Sequence, residues 1–124
     1  MNTLLWTLQI VLAVVFVGAG AIKLIQSRDQ LAGRIGAWVY DFPAPLIKPL
    51  GLVEVLGAIG LIVPPVVDNA PILAPVAASG LVVIMIGAII IHSRRDEYRD
   101  VSVNVLLAIM AGVVAWGRFG PHAF

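Results

Sequence analysis

Apolar residues along the chain are concentrated in four long runs separated by short polar segments. The runs cover about residues 3–25, 46–63, 71–92 and 101–118. A helix needs about 20 apolar residues, with a range of about 17–25, to cross the hydrocarbon of a bilayer. None of the runs shows the continuous polar face of a helix on the surface of a soluble protein. The pattern therefore predicts an all-α fold, a four-helix transmembrane bundle that forms a single domain over residues 1–124.

The first run has a second interpretation as a signal peptide. Ala19-Gly20-Ala21 has the small-x-small form of a cleavage site, and Leu4–Val17 has the length of its apolar region. A signal peptide normally begins with basic residues, but Met1-Asn2-Thr3 supplies no positive charge beyond the terminal amine. We therefore expect the first helix to be retained.

Local sequence predicts where two of the helices end and begin. Pro64 and Pro65 lack the backbone N–H that a helix needs, so we expect the second helix to stop there. Asn69 followed by Pro71 predicts an N-cap and a first-turn proline for the third helix.

The segment between the first two runs predicts a short additional helix. Ser27 and Gln30 have the spacing of a capping box. After them Leu31, Ile35, Trp38 and Phe42 follow one another at spacings of four, three and four, which places them on one face of a helix. Such a helix either lies in the membrane interface or packs on the inner mouth of the bundle.

Composition agrees with a membrane protein and excludes several classes. Only 12% of the residues are charged and 60% are hydrophobic, whereas soluble domains have about 25% charged residues. The formal net charge of +1 is too small for the basic surface of a nucleic-acid-binding protein. The absence of cysteine excludes disulfides and thiol catalysis within the chain.

The distribution of basic residues predicts an orientation. Seven of the eight Lys and Arg residues lie in or beside the first and third connecting segments: Lys23, Arg28, Arg34, Lys48, Arg94, Arg95 and Arg99. Basic connections face the cytoplasm in most membrane proteins. We therefore expect an integral protein of the cell (cytoplasmic) membrane, with loops 26–45 and 93–100 cytoplasmic and both termini outside.

Four polar residues in or beside the apolar runs are candidates for a site. Ionisable groups inside a membrane cost about 2.5–3.5 kcal/mol on insertion scales and often mark function. Glu54 is the strongest candidate, since it lies well inside the second run without a neighbouring partner. Lys23, His92 and Asn104 lie at the ends of their runs that are predicted to face the cytoplasm. We predict a ligand-binding site or proton path in the cytoplasmic half of the bundle.

Each candidate also has a purely structural interpretation. Lys23 can extend its ammonium group to the interface, and His92 can stabilise a helix C-terminus. Asn104 can form an interhelical hydrogen bond, and Glu54 can form a structural ion pair, most plausibly with Lys23. These alternatives remain open at the level of the sequence.

Motifs of self-contained enzymes are missing from the chain. No His, Asp or Glu cluster has the spacing of a catalytic metal site, so we predict no metal. No nucleophile elbow, P-loop or dinucleotide fingerprint occurs. His92 and His122 are predicted on opposite sides of the membrane, which excludes a haem ligated by both. A self-contained enzyme is therefore not expected.

Two segments carry a resemblance to a known family. Val17-Gly18-Ala19-Gly20-Ala21-Ile22-Lys23-Leu24 and Gly51-Leu52-Val53-Glu54-Val55-Leu56-Gly57-Ala58 resemble the small-residue-then-Lys and Gly-x-x-Glu-x-x-Gly signatures of DoxX-like membrane proteins. His92 with Arg94-Arg95, and Asn104 with Trp116-Gly117-Arg118-Phe119, are similar to the same family.

The resemblance implies a four-helix bundle linked to membrane redox complexes or to assembly and cargo roles. We expect a subunit or accessory of a quinone-linked redox complex, with no covalent cofactor and with quinone or lipid as the bound molecule. The alternative is a non-catalytic lipid-binding or membrane-protein assembly factor. The expected partners are the lipid bilayer and a membrane redox protein, and the small residues along the helices permit a homo-oligomer.

Overall fold

A computed structural model describes residues 2–124, which form five α-helices and one 3-10 turn. The elements are α1 (Asn2–Ile25), α2 (Arg28–Ile35), the 3-10 turn (Ala37–Tyr40), α3 (Ala44–Val66), α4 (Leu73–Arg94) and α5 (Tyr98–Phe119). α1, α3, α4 and α5 are long and apolar enough to cross a membrane. The described residues contain no strand, and the all-α fold with a short helix between the first two spans is confirmed.

The four long helices form a bundle in which each helix packs on two neighbours. α1 packs most closely on α3, and α4 packs most closely on α5, while α3–α4 and α1–α5 contacts join the two pairs. The end of the bundle that carries Asn2, the α3–α4 loop and residues 120–124 is called the terminal face. The opposite end, which carries α2 and the α4–α5 loop, is called the cap face.

The core contains small and branched apolar side chains from all four long helices. Its buried members are Leu12, Phe16, Ala58, Leu61, Ala78, Leu81, Met85, Ala111 and Val114. Many other apolar side chains of the same helices point outward; Val14 and Val83, for example, are 70% and 69% exposed. Such an apolar exterior is stable in lipid and not in water, which identifies an integral membrane protein.

The cap face is closed by α2 and the 3-10 turn. The predicted capping box between Ser27 and Gln30 is present. The helix ends at Ile35 because Gly36 adopts a φ of +115°, so the expected apolar stripe is divided between a helix and a turn. Leu31 and Trp38 nevertheless lie in one buried cluster that also contains Val39 and Ile47. Of the two interpretations of this helix, the structure shows the one packed on the mouth of the bundle.

Both expected boundaries of the α3–α4 connection are wrong in detail. α3 continues through Pro64 and Pro65 to Val66, because prolines in a last turn remove hydrogen bonds without ending the helix geometry at once. α4 begins at Leu73 without a side-chain cap. Asn69 instead donates its backbone N–H to the Pro64 carbonyl at 3.0 Å, as part of the tight loop between the helices.

Candidate ligand-binding site

Two glycines bring α1 and α3 into close backbone contact. A Cβ atom on Gly20 would lie 2.5 Å from the Gly51 carbonyl oxygen, and one on Gly51 would lie 2.7 Å from the Gly20 carbonyl oxygen. Lys23 follows Gly20 by three residues, and Glu54 follows Gly51 by three residues. Since residues three apart share a helix face, the crossing directs both ionisable side chains into the space between the same helices.

Lys23 and Glu54 form a buried ion pair at this crossing. Lys23 Nζ lies 2.8 Å from Glu54 Oε1, and both side chains are almost completely buried. Among the described residues that oxygen has no well-aligned hydrogen-bond donor. Glu54 lies ten residues into α3, about 15 Å along the helix at 1.5 Å per residue. The pair is therefore deep in the bundle and keeps unused hydrogen-bonding capacity.

Lys23 extends into the bundle and not toward the surface. Its Nζ also lies 3.5 Å from the Ala19 carbonyl oxygen, one turn back toward the N-terminus of α1. Helical side chains lean in that direction. The ammonium group therefore points away from the cap face, and the structure does not show the alternative in which Lys23 reaches the interface.

His92 is buried near the end of α4 and is linked to the surface by charged side chains. Its Nδ1 lies 2.9 Å from Glu97 Oε1; since a carboxylate only accepts hydrogen bonds, Nδ1 is assigned the proton. Arg95 Nε donates to the same Glu97 oxygen at 3.2 Å, and Arg95 also pairs with Asp41. The hydrogen bond with Asp41 raises the pKa of Arg95 above its usual value. A continuous polar network thus joins His92 to the cap face.

Asn104 lies near the start of α5 and has an unused hydrogen-bond donor. Its Nδ2 atom is buried and, within the part of the chain that the structure describes, has no hydrogen-bond partner. A buried donor without a partner costs about 1–3 kcal/mol. The expected structural hydrogen bond to a neighbouring helix is therefore not formed by this nitrogen.

All four sequence-predicted site residues line one cavity of about 300 Å³. The polar lining consists of Lys23, Glu54, His92 and Asn104, and the ring of Trp38, whose Nε1 donates to the Ile35 carbonyl oxygen, also lines the cavity. The remaining wall is apolar: Val15, Phe16, Ala19, Phe42, Leu50, Ile84, Met85, Gly87, Ala88, Ile91 and Leu107. Trp38 contacts the His92 ring edge-on at a centroid distance of 5.6 Å and belongs to the cap. The arrangement suits an amphipathic molecule with a hydrogen-bonding headgroup.

Three potential metal ligands also lie close together at the cap face. Ligand atoms of His92, Glu97 and Asp100 lie within 4.8 Å of one another. This group was not predicted from the sequence, because the α4–α5 turn separates His92 from Glu97 and Asp100 along the chain. Arg95 already donates to Glu97, and the Asp100 side chain is more than half exposed, so the cluster has the character of an ion-pair network.

A second polar cluster, which was not predicted from the sequence, lies at the terminal face. Gln9 is fully buried in α1, and its Nε2 donates to the Leu61 carbonyl oxygen at 2.7 Å. That carbonyl would bond the N–H of residue 65 in a regular helix, but Pro65 has none. Arg118 Nε donates to Gln9 Oε1 at 2.8 Å. A glutamine in an apolar run and a proline in the facing helix were the available signals.

The sequence pattern of the DoxX-like family matches residues 7–114, which is most of the chain. The matched region contains the four polar residues that line the cavity, Lys23, Glu54, His92 and Asn104, and it ends before Arg118. Comparisons with curated proteins and with solved structures gave no significant match. The extent of the family match, together with the four membrane-spanning helices, shows that this chain belongs to the DoxX-like family.

Proposed function

We propose that the protein is a quinone-binding subunit or accessory of a membrane redox complex, and that the cavity binds the quinone headgroup. One observation carries the proposal: four polar groups from four helices converge on a single, otherwise apolar cavity. Its volume of about 300 Å³ lies at the lower end of the range of small-molecule sites, about 300–1,000 Å³.

The residues present fit a quinone. A quinone headgroup is a flat ring with two carbonyl oxygens that only accept hydrogen bonds. Asn104 Nδ2 is a buried donor without a partner, and the Lys23 ammonium group supplies a second donor on the opposite helix pair. When bound, the quinone would accept electrons from a partner protein. In this proposal the chain contributes the binding site for the quinone.

The charged residues have separate tasks in this proposal. Glu54 holds Lys23 inside the bundle, because its Oε1 lies 2.8 Å from the Lys23 Nζ. His92 lines the cavity on one side and bonds Glu97 on the other. Glu97 and Arg95 continue this contact to Asp41 at the cap face. His92 and Glu97 would carry a proton between the cavity and the surface, while Arg95, which stays protonated, would position Glu97.

The isoprenoid tail of a quinone requires an opening toward lipid. Val15 lines the cavity and is 38% exposed, so the cavity wall at this residue is continuous with the outer surface of the bundle. Gly87, another lining residue, would meet nothing within 4 Å if it carried a Cβ atom. We therefore place the tail exit beside these residues.

Tryptophan fluorescence provides a direct binding test. The chain has three tryptophans, and a Trp6→Phe/Trp116→Phe background leaves only Trp38, which lines the cavity. We expect decylubiquinone to quench Trp38 in the purified protein. Asn104→Leu should weaken binding about tenfold, since a buried hydrogen bond contributes about 1–1.5 kcal/mol and 1.4 kcal/mol is a factor of ten.

Two further variants separate binding from folding. Ala88→Leu fills the cavity without changing a polar group and should abolish quenching. Ser79→Ala is the matched control, because its Oγ bonds the Pro75 carbonyl within α4 and does not line the cavity. Equal quinone binding by wild type, Asn104→Leu and Ala88→Leu would refute the proposal.

A groove between α3 and α4 favours the second candidate function, in which the protein binds a lipid and performs no redox chemistry. The groove has a volume of about 330 Å³ and an almost entirely apolar lining that includes Gly57, Gly60, Ala77 and Gly80. Small residues of this kind allow an acyl chain to lie close to the helix backbone. Copurification of a stoichiometric phospholipid, with no Trp38 quenching by quinone, would favour this function.

The proposed location is the cell membrane, with α2 and the α4–α5 loop in the cytoplasm. Lys and Arg are concentrated at the cap face, as the positive-inside rule requires. Because the chain has no cysteine, single variants Arg34→Cys and Asp68→Cys can be labelled specifically in intact cells. An impermeant maleimide should label Asp68→Cys alone, and labelling of Arg34→Cys alone would reverse the orientation.

A further inference from the structure

Arg118 is a buried cation without an acidic partner. It lies in the last turn of α5 and is only 2% exposed. Its Nε donates to Gln9, and one terminal nitrogen donates to Asn2 Oδ1 at 2.7 Å and to the His122 carbonyl oxygen at 3.0 Å. All three acceptors are neutral. Among the described residues no carboxylate forms an ion pair with this guanidinium group.

The second terminal nitrogen of Arg118 is buried and has no hydrogen-bond partner among residues 2–124. Both of its N–H groups lie in the plane of the guanidinium group and remain available. Burying a charge is costly unless it is paired and hydrogen-bonded. The site is therefore missing an acceptor, and a negatively charged acceptor would fit it best.

Aromatic rings beside Arg118 do not remove this deficit. The guanidinium carbon lies 3.9 Å from the centre of the Phe124 ring and 5.6 Å from that of Trp6. Ring faces attract a cation, but they do not accept the in-plane N–H groups as a charged oxygen does. Tryptophan is typical of the headgroup level of a bilayer, and we expect this end of the bundle to lie there.

Two open clefts meet at Arg118. One has a volume of about 450 Å³ and is lined by Asn2, Trp6, His122 and Phe124 among others; the second, of about 180 Å³, adds Pro71 and Ile72. Both clefts are lined by Arg118 and Ala123. An anionic group can therefore approach the guanidinium group while an attached apolar part lies against Pro71 and Ile72.

We propose that Arg118 binds a phosphate oxyanion at the terminal face, through the terminal nitrogen that has no partner in the chain. Guanidinium groups bind phosphate oxygens strongly because the hydrogen bonds are charge-assisted. The phosphate belongs to a phospholipid headgroup or is free inorganic phosphate. This site is separate from the cavity at Lys23 and Glu54, and it does not depend on the proposed quinone function.

The test measures binding to the purified, delipidated full chain in a maltoside detergent, which contains no phosphate. The probes are inorganic phosphate, a short-chain phosphatidylglycerol and, as a control for the tails, a diacylglycerol of equal chain length. Thermal stability and native mass spectrometry report binding. We expect phosphatidylglycerol to bind with one molecule per chain and diacylglycerol to have no effect; an equal effect of inorganic phosphate would identify the free ion as the ligand.

Three variants make the result specific. Arg118→Gln should weaken phosphate binding at least tenfold, whereas Arg34→Gln, an equal loss of charge on the exposed part of α2, should leave it unchanged. Ala123→Asp places a carboxylate beside Arg118, so it should stabilise the ligand-free chain and abolish binding. This variant decides the question if Arg118→Gln does not fold. Unchanged phosphate binding in Ala123→Asp and Arg118→Gln, or no binding by wild type, would show that Arg118 only joins α1 to α5.

Discussion

Gly20 and Gly51 set the position of the buried ion pair, because their backbones touch where α1 crosses α3. The carbonyl oxygen of each glycine occupies the space that the other's Cβ would need, at 2.5 and 2.7 Å. Lys23 and Glu54 each lie three residues farther along the same helix as their glycine, and the Lys23 Nζ lies 2.8 Å from the Glu54 Oε1. The glycines therefore position a charged pair that lies far from solvent.

We predict that Gly20→Ala destabilises the protein by about 1–3 kcal/mol, the usual effect of overpacking a tight interface. The obstacle is backbone, the Gly51 carbonyl oxygen, so a side-chain rotation cannot relieve it. Gly18→Ala is the matched control, since a Cβ there would meet nothing within 4 Å. Denaturation in mixed micelles measures the difference, and equal stability of the two variants would contradict the assignment.

The sequence predicted the four long helices, and it also indicated four polar residues that the structure brings to one cavity. Long apolar runs have only one stable conformation in lipid, so the four spans and the isolated Glu54 could be identified without coordinates. One of the two alternatives that the sequence left open for Glu54 was an ion pair with Lys23, and the structure shows that contact. The common cavity depends on how the four helices rotate and cross, which a single sequence does not specify.

The burial of Arg118 and its contact with Gln9 could not be predicted from the sequence. Its position as the last residue of the fourth apolar run gave no indication of burial, but α5 continues to Phe119 and buries it. Its partner Gln9 is held by the carbonyl that Pro65 leaves free. The contact between Arg118 and Gln9 joins residues 109 positions apart, and only the folded bundle brings them together.

The Lys23–Glu54 pair should show strong coupling in a double-mutant cycle. Removing one member leaves a buried charge, so we expect Lys23→Met or Glu54→Leu to cost about 3–5 kcal/mol. The double variant should recover most of that loss, because neither charge then remains. Equilibrium unfolding in detergent measures all four proteins.

The same variants distinguish a structural pair from a functional one. A double variant that is stable but no longer binds decylubiquinone would support the role of Lys23 as a donor to the ligand. Glu54→Gln is the conservative comparison, since it keeps the shape of the side chain and removes the charge. Additive losses in the cycle would show that the two residues do not interact.

Gly36 should control the closure of the cavity at the cap face. Its φ of +115° and ψ of 160° are accessible mainly to glycine, and a Cβ would also lie 3.2 Å from Trp38 Cδ1. We predict that Gly36→Ala costs about 1–3 kcal/mol of local strain and loosens the Trp38 turn. Hydrogen exchange over residues 31–42 should accelerate, while Gly33→Ala, where a Cβ meets nothing, should leave it unchanged.

The contact between Tyr40 and Asp29 should make the cap sensitive to alkaline pH. The Tyr40 hydroxyl donates to Asp29 Oδ1 at 2.6 Å, and this hydrogen bond raises the pKa of Tyr40 above its ordinary value of about 10. Because only the neutral phenol donates, the contact stabilises the cap below about pH 10 and is lost as the pH rises through the raised pKa.

Tyrosinate absorbance tests this prediction in a Tyr98→Phe background, where Tyr40 is the only tyrosine left. Asp29→Asn should lower the titration midpoint of Tyr40 toward about 10. The variant removes the hydrogen bond to a carboxylate and the negative charge of that carboxylate, both of which disfavour the phenolate. Asp68→Asn, which removes an acid from the opposite face of the bundle, should leave the midpoint unchanged. A midpoint that does not respond to Asp29→Asn would show that the Tyr40 hydroxyl does not bond Asp29 in solution. The 3-10 turn would then be held against α2 by Arg28 alone, which donates to the carbonyl oxygens of Val39, Tyr40 and Phe42.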